Sequence, residues 1–369
     1  MAGPEKDGQA PATDGMGGRG YYDSHSGAQK DGIRSQEARL RDAARALDLS
    51  GPELRIIDYG CGPGRNSMTA FHTVLDEVRQ RRPDIAVVAM HNDQIGNDWN
   101  DLFANVRGPD GYLNDIESIR VEAAVGSFFG PVASAGVIDF AMSFAAAHWL
   151  ASAVRMPSPG SLFYCDLPEP AKSEIAAMAA RDWTAFVTQR AREMKPGAML
   201  VMDVLSAVPD AGDPSGVAAA AAGLYRAIGA VAEGLADDGQ IAKDVLDDFI
   251  FPVYFPLSDE IAAPLERDGT LKAAFEVLEL ANELLPMPIE EALKKTGDAT
   301  AYAKAYVGFA RAFSEATLTA GLFTPSTSNE AEAKALADVF YERLETLFAN
   351  EPDKHGFAHR VATLVMRRR

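Results

Sequence analysis

Cysteine is almost absent: Cys61 and Cys165 are the only two in 369 residues. That excludes a disulfide framework and leaves no paired spacing for a structural zinc site. A reducing cytoplasm is the expected compartment. Positive charge is also scarce, with 35 Lys and Arg against 53 Asp and Glu and a net charge of −18. Such a surplus repels phosphates, so nucleic acid and an anionic membrane surface are not expected partners. Long hydrophobic runs are missing too. The most apolar long stretch, Gly216 to Ala236, is rich in Ala but carries Arg226 and Glu233, which predicts a helix in water and no membrane span. Residues 1 to 20 are rich in Gly, Pro and Ala, lack the apolar region of a signal peptide, and read as a disordered leader. No internal repeat is present.

What the chain does contain is 47% hydrophobic and 24% charged residues, the profile of a globular protein. Its length exceeds the usual size of one compact core, so two lobes or a core with a large insertion are expected. Gln36 to Leu47 has helical spacing and stops at Ser50-Gly51-Pro52. Leu54 to Asp58 is a short apolar run ending in an acid, followed at once by Gly60-Cys61-Gly62-Pro63-Gly64 and a helical pattern from Met68 to Arg82. Further strands are predicted at Ile85–His91, Ile119–Ala123, Gly136–Ser143 and Ala198–Leu205, with a long helix from Lys172 to Met194 closed by Lys195-Pro196-Gly197. Strands alternating with helices predict an α/β fold with a mostly parallel, doubly wound sheet. From Val208 to Tyr306 the pattern is mainly helical, interrupted by the Phe249–Pro256 stretch, and reads as a cap. Thr270–Ala281 and Ala358–Met366 are expected to return to the sheet. The expected division is a core of residues 21–207, 270–282 and 320–369, with a helical cap of 208–269 and 283–319.

A glycine-rich turn after a first strand accepts either the pyrophosphate of a dinucleotide or the amino-acid part of S-adenosylmethionine. The dinucleotide pattern requires an acid roughly 20 residues beyond the glycines, whereas the next acid at a strand end, Asp93, lies farther on. Asp58 precedes the glycines, where its charge opposes a pyrophosphate and receives an ammonium. The methyl donor is therefore the expected cofactor, with Asp93 accepting from its ribose hydroxyls and Ser127 and Phe128 meeting its adenine. The alternative is a tight turn at Gly60, Gly62 and Gly64 with Asp58 and Asp93 as helix caps.

These residues resemble the plant-type carboxyl methyltransferases of the salicylate, benzoate and caffeine-pathway group, called SABATH, over most of the chain. Tyr22, Ser26 and Gln29 look like that family's Ser-Tyr-x-x-Asn-Ser-x-x-Gln segment, and Asp58 to Asn66 like its Asp-Leu-Gly-Cys-Ser-Ser-Gly-Pro-Asn turn. Asn92 to Asn100 is similar to Asn-Asp-Leu-Pro-Gly-Asn-Asp-Phe-Asn, the most specific of these motifs. Gly126 to Gly130 resembles Gly-Ser-Phe-Tyr-Gly, Ser143 to Trp149 resembles Ser-Ser-Tyr-Ser-Leu-His-Trp, and Arg311-Ala312 with Glu315 resembles a late Met-Arg-Ala-Val-Ala-Glu helix. The resemblance implies a Rossmann-like class I methyltransferase sheet with helices on both faces and a mostly α-helical cap. It implies cofactor binding by Tyr22, Ser26, Asp58, Gly60, Gly62, Asn66, Asp93, Gln94, Ser127, Phe128 and Ser143. It places Gln29 and Trp149 on a substrate carboxylate and implies a homodimer. The sequence departs from the family at His25, where Asn is usual, at Gln94, where an apolar residue is usual, and at Ala145, where plant members have Tyr.

A carboxylate is ionised at neutral pH, so its in-line methylation needs no general base and rests on positioning. Gln29 and Trp149 offer neutral N–H donors that orient an anion without quenching it as a bidentate Arg would. The expected activity is methyl ester formation on a small, partly apolar carboxylic acid, in a pocket of His25, Gln29, Ala145, His148, Trp149, Phe255 and Phe309. His148 is also a candidate base, which keeps open an N- or phenolic O-methyltransferase acting on a small aromatic or heterocyclic metabolite. A non-catalytic cofactor-binding protein is the alternative of another class. His91-Asn92-Asp93 lacks a second cluster at ligand spacing, and no metal is expected. For Trp149 and the aromatics at Phe249, Phe251, Tyr254, Phe255, Phe309 and Phe313, packing within the cap is the competing role.

Overall fold

The apolar run before the glycine turn pairs on both sides. In the computed structural model, which describes residues 21, 27–113 and 118–369 without the side chains of 28–30, it is β1 (Glu53–Tyr59). With β2 (Ala86–Asp93), β3 (Ile119–Val125), β4 (Ile138–Phe144), β5 (Met194–Leu205), β6 (Phe275–Leu284) and β7 (Arg360–Arg368) it forms a seven-stranded sheet in the order β6-β7-β5-β4-β1-β2-β3. The five strands from β3 to β5 are parallel. β7 runs antiparallel between β5 and β6.

Alternation along β1 explains the layers. Leu54 and Ile56 face α2 (Glu37–Arg45) and α3 (Arg65–Arg81), packing with Leu40, Phe71 and Val74. Ile57 and Tyr59 face the opposite way onto α5 (Ala171–Glu193), with Phe186 and Val187. A strand buried on both faces reads as a continuous apolar run, as β1 does. Between these lie α1 (Gly27–Ser35), which precedes α2, and α4 (Trp99–Arg107), which follows β2. The fold is the expected Rossmann-like sheet with helices on both sides.

Register decides where the site can be. Asp58 is opposite His91 and Met142, Asp93 is opposite Val125, and Phe144 is opposite Asp203. The carboxyl ends of β1 to β5 therefore open onto one edge of the sheet, the usual place for ligands in such folds. A third apolar cluster reaches that edge through Leu205 and Val361 and joins α6 (Ala222–Asp237), α9 (Ala299–Leu318), α10 (Glu330–Asn350) and the aromatics of 249–255. Between α6 and α9 lie α7 (Ser258–Arg267) and α8 (Pro288–Thr296). From the 320–369 stretch, α10 packs on α9 and α6 while β7 enters the sheet.

Several boundaries differ from the sequence expectation for identifiable reasons. Helix α3 starts at Arg65 rather than Met68, because Gly64 in the left-handed region (φ 88°) turns the chain directly into it. β5 starts at Met194 rather than Ala198. Its pairing with β4 jumps from Ile138↔Met194 to Phe140↔Met199, so Lys195-Pro196-Gly197 is absorbed as a bulge with Gly197 at φ 85°. β6 begins late because Asp268 caps a helical turn at Gly269–Ala274 by accepting from the Thr270 and Leu271 amides. Among the described residues no helix is long and apolar enough to cross a membrane.

Candidate active site

The turn between β1 and α3 is built on three glycines with positive φ, Gly60 (79°), Gly62 (55°) and Gly64 (88°). The amides of Gly60 and Cys61 both donate to the Asn92 carbonyl at 2.9 and 3.0 Å, which ties the turn to the end of β2. A Cβ on Gly60 would collide with the methyl of Ala146 and press on the Phe128 ring, so only hydrogen fits there. Asn97 closes the other side, donating its amide to the Gly62 carbonyl at 2.8 Å.

Two carboxylates flank the turn. Asp58 is buried at the end of β1 and accepts from the Ser67 hydroxyl on α3. Burial, with a contribution from the nearby Asp93 charge, pushes its carboxyl up to about 7. Asp93 ends β2 and accepts from the Gly62 and Gln94 amides, each at 2.7 Å. Burial pushes it up to about 6, although those two amides pull the other way. Two acids whose ionised forms are held back by desolvation suit a ligand that brings positive charge and hydroxyl donors, and oppose a pyrophosphate. The residues present therefore fit S-adenosylmethionine, which carries both an ammonium and ribose hydroxyls.

The loop after β3 is stitched to the same point. Gly126 donates to the Asp93 carbonyl at 2.9 Å, and the Asn92 amide reaches the carbonyls of Ala124 (2.6 Å) and Gly126 (2.9 Å). Ser127 and Phe128 are thereby brought to the glycine turn, the Phe128 ring lying against Gly60 and edge-on to Phe186 at 5.7 Å. Asn66 is partly exposed at the second position of α3, and Gln94 is partly exposed beside Asp93. Ser143 is fully buried in β4 and donates its hydroxyl to the Tyr59 carbonyl at 2.8 Å.

Past β4 the chain turns sharply. Ala145 takes φ 48°, and its amide donates to the Asp203 carboxylate of β5 at 2.9 Å. That bend carries His148 and Trp149 into the third apolar cluster. Trp149 is 8% exposed, bridges to Val253 and packs on Phe251 at 5.6 Å. His148 is buried with Nδ1 unpaired among the described residues, and burial with the neighbouring His359 pushes it down to about 3. Phe255 lies 5.5 Å from the His148 ring. Phe309 lies in the same apolar cluster, among Tyr306, Phe313 and Phe357. A narrow cleft of about 40 Å³ opens beside His148 and Trp149, between the Ala176 and Ala180 face of α5 and Tyr254.

Tyr22, His25 and Ser26 lie outside the described residues, as does the side chain of Gln29, whose backbone is in α1. Among the described residues no group of three or more His, Cys, Asp or Glu is placed to hold a metal ion. His91 is buried on the α3 side, 2.8 Å from the Tyr112 hydroxyl and against Phe71. Sequence reasoning missed the supports: Asn92 and Asn97 were in a quoted motif without a role, and Ser67 and Asp203 carried no signal of their own.

Comparison with known proteins places this geometry. Residues 9–368 match the family model described as SAM dependent carboxyl methyltransferase. The chain is 28% identical to a probable caffeine synthase 4 of Camellia sinensis over 233 residues, 59% of this chain and 63% of that protein. It is 28% identical to a 3,7-dimethylxanthine N-methyltransferase of Camellia sinensis var. assamica over 236 residues, 59% of this chain and 62% of that one. The matches thus span a little under two thirds of those relatives' length. Jasmonate O-methyltransferase of Arabidopsis thaliana is 23% identical over 288 residues, 69% of this chain and 72% of its own. Among solved structures, loganic acid methyltransferase with SAH superposes with a TM-score of 0.74 at 21% identity, over 96% of this chain and 98% of that one, a likeness of fold.

Proposed function

The chain belongs to the family of SAM-dependent carboxyl methyltransferases, and from that membership we propose that it methylates the carboxylate of a small, partly apolar acid to give a methyl ester. When bound, S-adenosylmethionine supplies a methyl group already activated by its sulfonium charge. The chain's part is to bind and align. Asp58 and Asp93 hold the two polar ends of the cofactor, and Ser127 with Phe128 meets the adenine. Gln29 and Trp149 orient the acceptor carboxylate with neutral N–H donors.

One observation supports a carboxylate above other acceptors: the buried His148 beside Trp149 is a poor base. It is held down to about 3 and takes up a proton poorly near neutrality. An ionised acid has no proton to lose. Methylation of a ring nitrogen is the second possibility, favoured by the xanthine-methylating relative and by the small Ala145. It requires a proton acceptor stronger than His148. Assay of acids, phenols and xanthine-like heterocycles with labelled cofactor separates the two, since methyl esters are cleaved by mild base and N-methyl products are not. Unchanged kcat/KM on the best acid after replacing Gln29 and Trp149 together would remove them from the site. We extend the proposal to a homodimer in a reducing, cytoplasmic setting, consistent with two buried free cysteines; light scattering tests the assembly.

A further inference from the structure

Among the described residues, the Arg190–Glu193 ion pair is the one with both side chains fully buried, with Nη2 donating to Oε2 at 2.9 Å in the last turn of α5. Apart from one with Tyr59, its remaining side-chain bonds converge on one irregular segment. Arg190 donates to the carbonyls of Phe128 (2.9 Å) and Gly130 (3.4 Å). Glu193 accepts the amides of Val132 and Ala133 at 2.7 and 3.1 Å, and the Tyr59 hydroxyl at 2.8 Å. The guanidinium also lies over the Tyr59 ring, 3.8 Å from its centroid, and Tyr59 is the residue between Asp58 and Gly60.

Stability alone is a poor account of this arrangement. Desolvating two charges is costly, and a well-packed apolar pair of the same volume usually does as well or better. What an apolar pair cannot do is satisfy backbone groups that have no ladder partner. A planar guanidinium fork and a carboxylate do so with fixed directions, and here they dictate the path of 128–133. We propose that Arg190 and Glu193 are positioning residues for the cofactor: they hold the 126–133 loop so that Ser127 and Phe128 face the adenine. Through Tyr59 they keep that loop in register with the glycine turn at the amino-acid end. The inference rests on Ser127 and Phe128 as the adenine contacts.

The test is calorimetric titration of S-adenosylhomocysteine and, separately, adenosine into the wild type, Arg190→Lys, Tyr59→Phe, Phe128→Ala and the double variant Arg190→Lys with Phe128→Ala, with unfolding temperatures measured alongside. Arg190→Lys keeps the charge and loses the fork. It is expected to weaken both ligands by the same factor, about tenfold, the equivalent of one lost charge-assisted hydrogen bond. Tyr59→Phe is expected to cost about threefold, and Arg190→Lys to add little once Phe128 is Ala. Lower unfolding temperatures with unchanged dissociation constants would make the pair purely structural and overturn the proposal. Should Arg190→Lys not fold, wild-type affinity in Tyr59→Phe overturns it instead. Wild-type affinity in Phe128→Ala would sink the adenine assignment beneath it, a failure distinguishable by the variant in which it occurs.

Discussion

Burial pushes the carboxyl of Asp58 up to about 7 and that of Asp93 up to about 6. In the proposed role, Asp58 gives up its proton to receive the cofactor's ammonium. Affinity should therefore rise with pH. The dissociation constant of S-adenosylmethionine is expected to fall by about tenfold between roughly pH 5.5 and 7.5, read by calorimetry, and the slope to flatten in Asp58→Asn. The stability sign is opposite. A carboxyl raised on folding binds more protons in the native state, so its contribution is fully present below about pH 4 and is lost as pH rises through the folded values. A second expectation concerns Gly60, where alanine would need a left-handed backbone and would strike Ala146. Gly60→Ala should cost ~1–3 kcal/mol in denaturant unfolding and weaken S-adenosylhomocysteine binding. The two acids and the glycines were legible because each stands at the end of an apolar run. Asp203 was not: it sits inside a strand pattern, and its bond to the Ala145 amide exists only once β4 and β5 lie side by side.

At the scale of elements, the bulge in β5 separates strain from function. Gly197 has φ 85° but open space around the position of a Cβ, unlike Gly60. Gly197→Ala should lower stability by ~1 kcal/mol through backbone strain and leave cofactor affinity unchanged, measured by the same unfolding and calorimetric methods. That bulge also explains why the sequence sets the strand's start at Ala198 while it lies at Met194 in the structure. Lys-Pro-Gly is a stop signal for a helix, and it is equally tolerated in a sheet where the pairing register slips. The strands, the turn and α5 follow from local periodicity and were legible. The bonds of Arg190 and Glu193 were not, since they lie inside a helical pattern and their partners are 60 or more residues away in the chain.

The whole molecule carries a net charge of −18, and this bears on the acceptor. An acid approaching such a surface is repelled, so its kcat/KM should rise about two- to fivefold as salt is raised from ~10 to ~200 mM, while a neutral heterocycle should show little dependence. Initial rates across salt would thus weigh the two acceptor classes without a structure of the complex. The packing of α10 onto α9 and α6 was not legible in the sequence, because amphipathic periodicity says that a helix has an apolar face and not which neighbour covers it. The placement of β7 has a consequence for synthesis. Its slot is between β5 and β6, yet the ribosome delivers it only after the whole stretch 206–359. Throughout that interval β5 offers nascent-chain neighbours a bare row of amides and carbonyls on an apolar strand, a template for wrong pairing. A chain stalled before Arg360 would keep that template open, making it a substrate for chaperones and a seed for aggregation, and the arrival of β7 is what shuts it.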